Sequence, residues 1–401
     1  MLTSCSIFHP TAGPPPVSGP ATVVLLLSRG PLLSNPEDDT ANANYLRSSL
    51  PFTVAKVNYR LGTQHPYPTP VHDVLAAYDW VQEHLLPKRS IIRAGRAEHV
   101  GRVCVVGELL GGSLATMLAL TECRKNEPGV VAAAVNNPLI DWVQPDEDID
   151  LTSPKSSLAQ HHSKYPGLGL DDLLRARGSF FPKPESYFDP FASPILFFRT
   201  AGAEIPPDRL RSEADDLDLL SAIEREDFFR QQMLLSGISN EGSGAAGLQD
   251  IAAGRDEEEV QSDASSTSGG STTTTTPRKA SRMFPSKSLH LSLPSFHVTT
   301  GTTSPLGDQA DELAQALKKS FARQYRASSS RRATFGHKVL MDHEEGLMDE
   351  DQRLERAAEE AVAEENVRVG RRGSGLGLWD LTGEGRRALE GAVGWLRERL
   401  R

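Results

Sequence analysis

From residue 21 onward, short and almost continuously apolar runs alternate with longer amphipathic stretches. Ala21-Thr-Val-Val-Leu-Leu-Leu27 is apolar and β-branched at nearly every position, the pattern of a strand buried on both faces. Asn42 to Leu50 predicts a short helix and Phe52 to Tyr59 a second strand. Asp73 to Leu85 reads as an amphipathic helix opened by an acidic residue, which suits the positive end of a helix dipole. Val100 to Val106 is a third strand, Ser113 to Cys123 a helix and Val130 to Val135 a fourth strand. Strands and helices in such alternation imply a mostly parallel, doubly wound sheet with helices on both faces, an α/β class. Phe296 to Thr300 adds a strand, Asp308 to Phe321 a helix, and Val367 to Gly370 a short strand. A closing helix over Glu384 to Leu400 places Leu389, Val393, Leu396 and Leu400 on one face.

Polar stretches interrupt this pattern. Residues 1–20 are rich in Pro, Gly and Ser and read as an irregular lead-in, ahead of one domain over 21–401. Within that domain, 151–190 suggests a cap-like segment off the main sheet. Residues 237–283 collapse into Gly, Ser and Thr and predict a disordered insert, since they bury too little apolar area to offset their ordering entropy. Arg278-Lys-Ala-Ser-Arg282 at its end has the basic-then-serine order that kinases selecting basic residues read. Residues 327–366 form a second, charge-rich insert, with acidic pairs at Glu359-Glu360 and Glu364-Glu365.

Composition narrows the function classes. The 401 residues carry 43 Lys and Arg against 53 Asp and Glu, a formal net charge of −10. That balance argues against nucleic acid as the main partner, because phosphate backbones need clustered cations. Cys5, Cys104 and Cys123 are scattered and odd in number, giving neither a disulfide framework nor a metal spacing. Cys104 reads as a small core residue. The longest apolar runs are too short to span a bilayer, and no charged segment precedes the first of them as in a secretory leader. The expectation is a cytoplasmic protein with no membrane span, no metal and no cofactor. His161-His162 with Asp146 and Asp148 is a poor metal set, because adjacent histidines rarely converge on one ion.

Chemistry centres on Val103-Cys-Val-Val-Gly-Glu-Leu-Leu-Gly-Gly-Ser-Leu-Ala115, where a buried strand turns into a helix through Gly107 and Gly111. A nucleophile elbow needs small residues flanking a strained turn that lifts the nucleophile above the sheet. Here the apex is Leu109, which has no proton to lose and no lone pair with which to attack. The same glycines lack the lysine of a phosphate loop and the full dinucleotide fingerprint, which sets nucleotide binding aside.

Two stretches flank this feature: Asn58-Tyr-Arg-Leu-Gly-Thr-Gln-His-Pro-Tyr-Pro68 and Asp73-Val-Leu-Ala-Ala-Tyr-Asp-Trp80. Together with the elbow they resemble the hormone-sensitive-lipase-like (fold-3) branch of the α/β-hydrolases, whose members carry Y-R-L-A-P-E-H-P-F-P-A, D-x-x-A-A-x-x-W and G-D-S-A-G-G-N-L-A. Tyr187 to Pro194, Val298 to Asp308 and Gly373 to Trp379 resemble later family segments. The resemblance implies an α/β-hydrolase fold and, residue by residue, a degenerate site. The family's serine falls on Leu109, its acid on Ser304 and its histidine on Leu376. Its H-G-G-G oxyanion loop falls on Ser28-Arg-Gly-Pro31, where only Gly30 remains and Pro31 has no N–H to donate. Glu108 replaces the family's Asp and Ser113 its Asn. Relatives carry two more strands and lid helices before the first strand seen here, which implies a reduced cap and a more open pocket.

The resulting expectation is a hydrolase-like protein that has lost catalysis. It would bind a small apolar molecule or a protein partner in a pocket near Gly30, Glu108, Leu109, Leu110, Ser304 and Leu376. The alternative is an active carboxylesterase or lipase-like hydrolase with Ser113 as a relocated nucleophile. Of the remaining candidates, His65 is expected to fix the loop after its strand. His297 lies on a strand facing either side, His337 and His343 lie in the charged insert, and Asp308 opens a helix.

Overall fold

The continuous apolar runs become the central strands of one sheet. In chain order its strands are β1 (Ser4–Phe8), β2 (Thr22–Leu27) and β3 (Thr53–Asn58), then, after a small antiparallel hairpin of β4 (Ile91–Arg93) and β5 (Arg96–Glu98), β6 (Arg102–Glu108), β7 (Gly129–Asn136), β8 (Ser295–Thr300) and β9 (Val367–Arg371). The seven strands lie in the order β1-β3-β2-β6-β7-β8-β9, all pairs parallel except β1 with β3. The computed structural model describes residues 4–11, 21–86, 91–93, 96–98, 101–125, 127–143, 168–201, 281–286, 289–333, 350–371 and 375–400. All of these fall in a compact unit built from Met1–Ala201 and Ala280–Arg401; a second unit, Gly202–Lys279, lies outside the described residues and takes most of the 237–283 insert with it.

Successive side chains of a strand point to opposite faces, and here both faces meet helices. Leu25, Leu27, Val103 and Val105 enter one core with α2 (Thr69–His84), α3 (Leu110–Thr121) and the first half of α5 (Gly307–Ala333). Val24, Leu26, Cys104 and Val106 enter the other with α1 (Pro36–Ser49) and α7 (Gly383–Arg399). Cys104 is fully enclosed, and burial pushes its thiol up to about 12. Over the first face lies the cap: α4 (Leu170–Phe180) and two 3-10 turns, Pro184–Phe188 and Pro194–Phe197. Residues 151–167 of the expected cap segment lie outside the described residues.

The expected irregular lead-in contains an element, the strand β1. It is a five-residue, half-exposed edge paired on one side only, so it needs no long apolar run and leaves little trace beside the prolines that follow it. Helix α1 begins six residues before its apolar periodicity. The side chain of Asn35 accepts from the Glu37 N–H, Pro36 sits at the first helical position, and Glu37, Asp38 and Asp39 fill the first turn. In the charge-rich stretch, α5 continues to Ala333 and α6 (Glu350–Asn366) runs straight into β9. The two helices are joined by a bidentate pair, Arg326 Nε to Glu359 Oε1 at 2.7 Å and Nη2 to Oε2 at 2.6 Å.

Asn35→Ala removes the cap of α1 and is expected to cost about 1 kcal/mol, read as a lower urea midpoint with an unchanged slope.

Candidate functional site

One residue separates β6 from α3, and it is Leu109. Its backbone lies at φ 52° and ψ −117° with the side chain fully buried. A non-glycine residue held there costs on the order of 1–3 kcal/mol and persists only where its surroundings over-determine it. They do so here through three backbone bonds: Leu109 N–H to Asn136 O (3.0 Å), Ser113 N–H to Leu109 O (3.0 Å) and Leu139 N–H to Leu109 O (3.3 Å). The flanking glycines are required by contact. A Cβ on Gly107 would stand 2.2 Å from the Gly111 carbonyl oxygen, and one on Gly111 would stand 2.2 Å from that of Ser28.

The other two positions reach the same edge of the sheet. The Leu376 carbonyl accepts from the Gly301 N–H (3.0 Å) and from Asn137 Nδ2 (2.8 Å), while Asn137, itself at φ 46°, donates its N–H to Thr299 O (2.8 Å). Ser304 closes the adjoining turn, its N–H bonding Gly301 O at 3.3 Å and its Oγ accepting from the Leu306 N–H at 3.2 Å. Residues 109, 304 and 376 thus stand on loops stitched together through Asn137 and Leu139. Two of the three are hydrocarbon, and the Ser304 hydroxyl oxygen is engaged in its own turn.

Glu108 belongs elsewhere than in the expected pocket. Its side chain is buried against Arg29, to which it is directly paired, and its Oε1 accepts from the Trp379 N–H (2.6 Å) and Asn136 Nδ2 (2.7 Å). Arg29 also donates Nη1 to Asp38 Oδ2 (2.9 Å) and Nη2 to Trp379 O (2.6 Å), and Asn42 Nδ2 shares that carbonyl at 2.8 Å. Burial pushes the Glu108 carboxyl above its ordinary range, opposed by the guanidinium and its other donors. Burial likewise works against the Arg29 charge, but Glu108 and Asp38 together outweigh it and hold the guanidinium protonated. Sequence reasoning missed Arg29; the available signal was a charged residue directly after a doubly buried strand.

The pocket lies one step along α3 from the apex. Leu110 and Ser113 line it together with Leu61, Tyr67, Trp142 and Phe181, while Glu108, Leu109, Ser304 and Leu376 are not among its lining residues. Gly30 adjoins it: a Cβ there would stand 3.1 Å from Leu110 Cδ2 and 3.2 Å from Leu61 Cδ1. The cavity has a volume of about 30 Å³. Aromatic rings of the cap fill the space: Trp142 meets Phe180 at 5.8 Å and Phe181 at 5.5 Å edge to face, and Tyr67 meets Phe181 at 5.4 Å. Tyr67 is held there by its N–H to Phe180 O (2.7 Å) and its hydroxyl to Asp189 Oδ2 (2.5 Å).

Among the described residues no histidine or carboxylate lines this cavity. His297 faces away, stacked on Trp395 of α7 at 5.3 Å. His65 closes a turn through its N–H to Gly62 O (2.9 Å), and Asp308 sits in the first turn of α5. Asp146, Asp148, His161, His162, His337 and His343 lie outside the described residues. Among the described residues no three His, Cys, Asp or Glu groups converge as metal ligands.

Comparison with known proteins shows what this geometry is similar to. Residues 30–208 match the family model described as alpha/beta hydrolase fold. A curated relative, Esterase LipI of Mycobacterium tuberculosis, is 33% identical over 91 residues, which is 23% of this chain and 26% of that protein. Among solved structures, carboxyl esterase 2 from the mycorrhizal fungus Tuber melanosporum aligns with a TM-score of 0.50 at 13% identity, covering 100% of this chain and 87% of that one. An arylesterase aligns with a TM-score of 0.50 at 15% identity, covering 99% and 81%. At such identities the likeness to solved structures concerns the fold alone.

Gly111→Ala must displace backbone rather than a side-chain tip, and a loss of about 1–3 kcal/mol is expected in thermal unfolding. Arg29→Met strands two buried carboxylates and should cost about 3–5 kcal/mol, part of it recovered when Glu108→Leu is added, in a double-mutant cycle read by urea denaturation.

Proposed function

The chain has an α/β-hydrolase fold, and on that premise we propose that it works without hydrolysis, holding a small uncharged apolar molecule in the pocket beside its elbow. The observation that carries this reading is Leu109 at the strained apex between β6 and α3. Acyl transfer there needs an activated nucleophile, a base, a group to orient the base and oxyanion donors. The corresponding positions hold Leu109, Leu376, Ser304 and a loop containing Pro31. Leu61, Val71, Leu110, Trp142 and Phe181 favour an apolar ligand, and a lining whose described residues carry no charged side chain penalises an ion that would have to shed its water. A place in the reducing cytoplasm belongs to the same proposal, supported by three free cysteines.

A second reading, residual esterase activity from Ser113, has one observation in its favour: Ser113 lines the cavity. Among the described residues no histidine lines the cavity beside it to act as base.

Incubation with p-nitrophenyl butyrate is expected to give turnover at background, and a fluorophosphonate probe no labelling. Turnover or labelling that disappears in Ser113→Ala would overturn the non-hydrolytic reading in favour of the second. Leu109→Ser alone is expected to restore no turnover, because residues 304 and 376 remain unchanged. Indole is expected to raise the thermal midpoint where butyrate ion does not.

A further inference from the structure

Trp142 is fully enclosed, and its main chain is matched: its N–H donates to Ser193 Oγ at 3.1 Å, and its carbonyl accepts from Arg177 Nη1 at 3.1 Å. Its indole Nε1–H, by contrast, has no hydrogen-bond partner among the described residues. A buried tryptophan N–H ordinarily finds an acceptor, and a buried donor left without one carries the cost of its lost hydration. Phenylalanine would fill much of the same space and bring no donor. The ring is fixed in place by Phe180 and Phe181, with centroids at 5.8 and 5.5 Å. It lines the cavity beside Leu110 and Ser113. Of the two hydroxyl groups in that lining, Tyr67 is committed to Asp189 Oδ2 at 2.5 Å. The Ser113 hydroxyl has no partner among the described residues.

Given an uncharged ligand beside the elbow, as proposed above, we infer that this ligand carries one neutral hydrogen-bond acceptor, the carbonyl oxygen of a ketone, ester or amide, and that Trp142 Nε1–H donates to it. Ligand sites of this kind are mostly apolar and fix orientation through a small number of placed polar groups. A carbonyl oxygen has two lone pairs, so it can take the indole N–H and the Ser113 hydroxyl together. A carboxylate would meet the same donors, but among the described lining residues no cation offsets the loss of its water. A carbonyl oxygen also replaces the bonds that a water would accept there, and it brings no proton that needs an acceptor of its own. The polar group thus selects among apolar molecules of similar size, and it sets which end of the ligand enters first.

The test titrates the full chain with cyclopentanone and with methylenecyclopentane, which has nearly the same shape but a CH2 group in place of the carbonyl oxygen. Proton–nitrogen NMR follows the indole N–H signals of the four tryptophans. Cyclopentanone is expected to bind roughly tenfold more tightly, as for one buried hydrogen bond gained. It should also move the Trp142 N–H proton downfield, a signal identified by its loss in Trp142→Phe. In that variant the two compounds are expected to bind alike, and a preference that persists there overturns the role of Trp142. Should the variant fail to fold, the unaltered chain decides: one indole signal moves downfield with cyclopentanone and none with methylenecyclopentane. Equal binding of both compounds without that movement overturns the acceptor and leaves the apolar pocket standing. Binding of neither overturns the pocket as well.

Discussion

The site edge depends on a buried charge cluster. Arg29 leaves the end of β2 and meets Glu108 at the end of β6, Asp38 in α1 and the Trp379 carbonyl in the loop before α7. Two strands, a helix and a loop 350 residues away in sequence are thereby fixed to one guanidinium. Ions so placed contribute little net stability, because desolvation offsets their attraction, but removal of one strands the others. The cluster therefore specifies where the loops lie more than it strengthens the fold. It also engages the segment directly after β2 in a structural bond.

The elbow and the pocket are separate consequences of that frame. The elbow is a backbone feature, set by Gly107, Gly111 and the bonds of Leu109 to Asn136 and Leu139. Its apex carries the hydrocarbon side chain of Leu109. The pocket is a side-chain feature, closed by Phe180 and Phe181 at the end of α4 and by Trp142 after β7. Aromatic rings that meet edge to face pack densely and leave little room beside Leu110 and Ser113.

Much of the sheet was legible in the sequence, because parallel strands covered on both faces write themselves as unbroken apolar runs. The run at Val23 to Leu27 and the one at Val103 to Val106 both appear where expected. β1 was not legible, since an antiparallel edge needs hydrogen bonds more than apolar side chains. The start of α1 was hidden because its first turn is acidic and capped, carrying dipole chemistry rather than periodicity. At the site, the strand–glycine–helix signal located the elbow. Leu110, named with the pocket, and Ser113, named as the alternative nucleophile, do line the cavity, whereas its offset from Leu109 was not legible, because that follows from the direction in which α3 leaves the turn. Arg29 was invisible for a different reason: its partners Glu108 and Trp379 are distant in sequence, and no local pattern joins them.

Arg199 and Ser281 form an isolated antiparallel bridge where the chain leaves the described unit and re-enters it, which has a consequence for changes in chain length. The two ends of the intervening segment are fixed by contacts made outside it. Closing a loop between fixed ends costs free energy that grows only with the logarithm of its length, about 0.6 kcal/mol for each doubling. The described strands all lie outside that segment, so a change in its length costs little so long as its two ends still meet.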